Sequence, residues 1–106
     1  MGGGDVELAA LIEEATADAY GVDEQLGGFH AKLEEHVAVP FTTTLLGVEV
    51  AVVEIDWPVS GGLVAVCRRG RESQSIDLRE LPLPTPPPEG VEWIYAYLRW
   101  AAGGLT

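Results

Sequence analysis

The sequence predicts a single α+β domain: two N-terminal helices, a small antiparallel β-sheet or SH3-like barrel, and a C-terminal helix. Three observations lead there. Apolar residues recur at helical spacing up to residue 37. From Phe41 they give way to alternating, β-branched runs. After a proline-rich stretch the helical spacing returns. At 106 residues, 47 % of them hydrophobic, the chain suits one domain with one modest core. The expected layout is a helical region over 5–37, an antiparallel β region over 41–80, a connector over 81–90 and a helix over 90–102.

Residues 1–4, nearly all glycine, are expected to fray. In DVELAALIEEATADAY, residues Leu8, Leu11, Ile12, Ala15 and Ala19 share a helical face, while Glu7, Glu14 and Asp18 point elsewhere. Asp5 is the expected N-cap, and Gly21 the expected left-handed stop. A second stripe runs Val22, Leu26, Phe29, Leu33, Val37, and Pro40 closes it. Gly27 and Gly28 each cost a helix roughly 1 kcal/mol against alanine. Their presence predicts a close backbone neighbour or a bend there.

In FTTTLLGVEVAVVEIDW, alternation puts Val48, Val50, Val52 and Glu54 on one face and Glu49, Ala51, Val53 and Ile55 on the other. Gly47 predicts a bulge or tight bend. DWPVSGG reads as a loop, LVAVCRR as a central strand, RRGR as a tight turn and SQSIDL as the returning strand. LPLPTPPPEG is expected to be stiff and extended. In the last helix Val91, Ile94, Tyr95, Leu98 and Ala102 are expected to face the core, with Trp93 and Trp100 at its edges and Gly103 and Gly104 ending it.

Seventeen acids against six bases leave a formal net charge of −11. Such a surface argues against nucleic acid, whose phosphates need a basic face. No stretch approaches the ~18 apolar residues of a membrane span. The N-terminus carries no basic, then apolar, leader pattern, and the single Cys67 forms no internal disulfide, so the cytoplasm is the expected compartment. Cations, basic proteins or no partner at all are what fit such a surface.

The acids are densest in DAYGVDEQLGGFHAKLEEH, which holds Asp18, Asp23, Glu24, Glu34 and Glu35 and one lysine. Within the helix Lys32 has one acid at pairing distance, Glu35. A run of this kind is most simply a solvated face. Its functional alternative is calcium, a hard ion that takes about six to eight oxygens at about 2.4 Å. Asp18, Asp23 and Glu24 straddle Gly21 at a helix-to-helix junction, where the last carbonyls of the first helix are free to join them. Asp56, at a strand end, caps a turn or supplies a ligand from a second segment. The spacing is not that of the twelve-residue calcium loop.

Other chemistry is poorly supported. His30 and His36 lie six apart, on different sides of one helix, and no ligand spacing joins them to Cys67. No nucleophile–base pair or phosphate loop is evident, so no enzyme is expected. Arg68, Arg69 and Arg71 form the basic patch: they meet the acidic helices, close a hairpin or dock a partner.

Taken together, DAYGVDEQLGGFHAKLEEHVAVPF, TTLLGVEVAVVEID, LVAVCRRGR and LPLPTPPPEGVEWIYAYLRW resemble the CcbP family of small calcium-binding proteins of cyanobacteria and other bacteria. The resemblance spans roughly residues 8–101. It implies an acidic, non-EF-hand protein that binds Ca²⁺ in the cell, as a buffer or sequestering agent without catalysis. It implies ligands among Asp18, Asp23, Glu24 and Asp56, and less directly Glu34 and Glu35. Gly21 stands where relatives often carry another acid, which removes one ligand here. The alternative is an acidic interaction module that docks a basic partner and holds no specific metal.

Overall fold

The computed structural model describes residues 3–58 and 61–104. Two helices, α1 (Gly3–Ala15) and α2 (Val22–His36), precede four strands: β1 (Phe41–Leu45), β2 (Val48–Asp56), β3 (Val64–Arg69) and β4 (Glu72–Asp77). A short 3-10 turn (Leu78–Glu80) and helix α3 (Val91–Gly104) complete the chain. Val59 and Ser60, part of the expected loop, lie outside the described residues.

The strands form one antiparallel meander in the order β1-β2-β3-β4. Among the described residues β1 pairs only with β2 and β4 only with β3, so the sheet is open and not closed into a barrel. β1 and β2 are joined by Leu46 and Gly47, at φ 52° and 80°. Two positive φ values give the turn whose twist suits a tight hairpin, so Gly47 serves a tight bend. The bulge lies elsewhere. Val52 faces Cys67 and Glu54 faces Val66, so Val53 is an extra residue in β2. That insertion shifts the alternation by one. Val52 and Ile55 are therefore both buried, although strict alternation puts them on opposite faces.

Helices cover one face of the sheet. The stripe read from α2 is buried at Leu26, Phe29 and Leu33 and continues to Val37, while Val22 is exposed. Full burial of a side chain such as Leu33 contributes about 2–3 kcal/mol. Phe29 meets Tyr97 edge-on at 5.6 Å and Trp100 at 5.1 Å between ring centres. The glycines of α2 mark close approach: a Cβ on Gly28 would strike the Ala15 carbonyl of α1, and one on Gly27 would press on the Trp57 ring.

The α3 face differs from the expected one. Trp93, Ile94, Ala96, Tyr97 and Ala101 are buried, whereas Tyr95 is 42 % exposed and Ala102 is exposed. The core here takes two large rings in place of the aliphatic stripe. The Tyr97 hydroxyl accepts the Leu63 N–H at 3.1 Å, which satisfies a buried backbone donor at the start of β3. The proline-rich segment, residues 81–90, is irregular and bends at Thr85–Pro86, so it is not a straight rod. Its Pro82 carbonyl accepts the buried Thr43 hydroxyl at 2.6 Å, tying it to β1.

Two helix ends also correct the sequence reading. α1 starts at Gly3, so Asp5 lies inside it and is not the residue before it. α1 stops at Ala15, earlier than expected, and Asp18 takes the left-handed conformation (φ 63°). Gly21 is extended and stands at the N-cap of α2. An aspartate tolerates the left-handed region better than most residues, so the stop falls three residues before the glycine.

Candidate functional site

The α1–α2 connection carries the densest candidate acids. Asp18, Asp23 and Glu24 are all exposed there. Among the described residues none of the three has a basic group within ion-pair distance. Gly21 has no side chain with which to cap α2. Glu24 reaches back instead, and its carboxylate accepts the Tyr20 N–H at 2.8 Å. Asp23 and Glu24 also sit in the first turn of α2, where negative charge suits the helix dipole.

The carbonyls expected to help are mostly engaged. The Ile12 carbonyl accepts both the N–H (2.9 Å) and the hydroxyl (2.7 Å) of Thr16. The carbonyls of Glu14 and Thr16 accept the N–H groups of Ala17 and Ala19, and the Ala15 carbonyl is packed against Gly28. Among the described residues, no three His, Cys, Asp or Glu side chains gather closely enough to hold a metal ion.

The remaining candidates are dispersed. Asp56 is half-buried at the end of β2, beside the seam with α2. There the His30 imidazole Nε2 lies 3.0 Å from the Ile55 carbonyl oxygen, and Trp57 rests on Gly27. Glu34 lies 3.5 Å from His30, and Glu35 lies 3.6 Å from His36. The lysine does not use Glu35. Lys32 donates to Glu14 of α1 at 2.8 Å, an inter-helix pair that helical spacing did not reveal. The pair pulls the Glu14 carboxyl below its ordinary value and pushes the Lys32 ammonium up, chiefly through that hydrogen bond.

Cys67 is buried on the helix-facing side of β3, and burial pushes its thiol above the ordinary range, which keeps it protonated and unreactive. The three arginines close the β3–β4 hairpin. Arg68 and Arg69 end β3, Gly70 turns at φ 60°, and Arg71 leads into β4. Among the described residues none of them pairs with an acid of the helices. No described helix is long and apolar enough to cross a membrane.

No family model, curated protein or solved structure matches the chain.

Proposed function

We propose that the chain binds calcium ions through the α1–α2 connection and buffers or sequesters calcium inside the cell, without catalysis. The observation that carries this reading is the run of three exposed carboxylates, Asp18, Asp23 and Glu24, without a basic partner among the described residues. The resemblance of DAYGVDEQ to the CcbP pattern supports the same assignment. The mechanism is electrostatic: like charges on a protein of net charge −11 repel, and a bound divalent cation removes that repulsion. To join the ion Glu24 leaves the Tyr20 N–H, and water completes the shell. Asp56 is the next ligand in rank, and Glu34 and Glu35, each beside a histidine, come last.

Calorimetric titration of chelator-treated protein with CaCl₂ tests the reading. Calcium at about tenfold over its dissociation constant stabilises by about 1.4 kcal/mol, which raises Tm by several degrees. Asp18→Asn with Asp23→Asn abolishes that rise. Equal shifts with MgCl₂, or a calcium shift that survives the double substitution, defeat the assignment. A second reading, docking of a basic protein, draws on a different observation: Tyr20 is 91 % exposed beside these acids, as an interface aromatic would be. The same double variant separates the two, since docking is lost with or without calcium.

A further inference from the structure

At the end of the sheet where both hairpins turn, the helix-facing side of the strands lies open as a groove of about 530 Å³. Its floor is Val50 and Cys67, from the two central strands. One wall is apolar: Leu45, Leu46 and Val48 of the β1–β2 hairpin. The other is polar: Arg69, Glu72 and Gln74 of the β3–β4 hairpin. Arg71 stands at the tip beside it, so this end of the molecule holds three of the six basic residues, with Arg68 on the opposite face. Leu46 is 97 % exposed and holds a left-handed φ that asparagine or glycine adopts at less cost. An apolar side chain kept in that turn points to a contact that uses it.

We propose that this groove docks an amphipathic acidic helix of a partner protein, with the helix's apolar flank on Leu45, Leu46, Val48 and Val50 and its carboxylates on Arg69 and Arg71. Shape and charge select that occupant. The floor lies on β2 and β3, whose backbone groups are already paired within the sheet, so an extended peptide cannot add as a strand there. Four strands at about 4.8 Å spacing leave a width of about 14 Å, which a helix about 10 Å across fills. Elsewhere the same face is covered by this chain's own helices. Among the described residues Arg69 and Arg71 have no carboxylate within ion-pair distance, and they are the basic pole of an otherwise acidic molecule. Glu72 on the same wall sets the register, because it repels an acid placed opposite it.

The test uses the full chain and a fluorescein-labelled helical peptide with leucines on one flank and glutamates beside them, read by fluorescence anisotropy. The proposal expects saturable binding that weakens with salt and falls about tenfold with Arg69→Glu. A comparable loss is expected with Leu46→Asn, a change that suits the turn and leaves the circular dichroism spectrum unchanged. It is overturned if a matched leucine–lysine peptide binds as well, or if neither substitution alters binding. It is equally overturned if the peptide fails to bind while phosphatidylserine vesicles capture the protein in a Leu46-dependent way, which would make the hairpin tips a lipid-binding surface.

Discussion

The two ends of α2 are built in opposite ways. At its C-terminus the chain turns against backbone. The Ala38 N–H donates to the Glu89 carbonyl at 2.9 Å, and Gly90 lies directly on the His36 carbonyl. The His36 ring stacks on Trp93 at 4.9 Å, and the Lys32 ammonium lies 5.5 Å from the same indole. At its N-terminus Gly21 offers no side-chain cap, Tyr20 and Val22 are exposed, and the turn is closed by the Tyr20 N–H on the Glu24 carboxylate, with the Trp100 indole bonded to Gln25 just beyond it. One helix thus has a locked end and a loose one. Local opening draws on the loose kind of structure, so the end that carries Asp18, Asp23 and Glu24 is the one expected to open first.

The contrast can be broken at the locked end first. Gly90→Ala places a Cβ in the His36 carbonyl and 2.9 Å from the Val37 Cα, at a φ of +86°. Overpacking and left-handed strain together cost about 3 kcal/mol or more, seen as a large drop in Tm. A wild-type Tm in that variant would mean that the C-terminal end is as pliant as the other. Tyr97→Phe removes the acceptor of the buried Leu63 N–H and should cost about 1–3 kcal/mol in urea unfolding with m unchanged.

The loose end predicts smaller numbers. Glu24→Ala loses the Tyr20 bond and costs at most about 1 kcal/mol, but it should speed amide exchange at Tyr20 while leaving Ala38 protected. The smallest effect lies outside both ends. Arg79 hydrogen-bonds Asp77 through its side chain at 2.8 and 3.0 Å and through its backbone N–H, which holds that carboxyl below its ordinary 3.8. A depressed carboxyl contributes stability above its unfolded pKa and loses it as pH falls through the folded value. Asp77→Asn should therefore flatten the acid side of the stability profile below about pH 4 and leave its slope at neutral pH unchanged.

Much of this was legible in the sequence because helical periodicity survives local noise. The Leu26, Phe29, Leu33, Val37 stripe is the core face of α2, and Gly28 is there for a neighbouring backbone. Val53 was not legible: an inserted strand residue leaves no compositional mark, and its effect, burying Val52 and Ile55 together, appears only through pairing with β3. The face of α3 was misjudged because Tyr95 and Tyr97 are equivalent by composition, and what separates them is the Leu63 N–H waiting inside. At the candidate site the acids and the junction could be read, but the stop at Asp18 and the Lys32–Glu14 pair could not. The first depends on a backbone angle, the second on how two helices lie side by side. The arginine cluster resolved to a hairpin tip for the same reason, since three-dimensional distance decides whether it meets the acidic helices.

The chain's three tryptophans each touch a different stretch of α2. Trp57 lies on Gly27 near its middle, Trp93 stacks on His36 at its C-terminus, and the Trp100 indole donates to Gln25 near its N-terminus at 3.0 Å. A set of variants that each keep one tryptophan would turn the helix into a three-channel optical gauge. Emission from Trp100 would register movement at the N-terminal end. The Trp93 signal, from the ring stacked on His36, would serve as the internal reference at the C-terminal end.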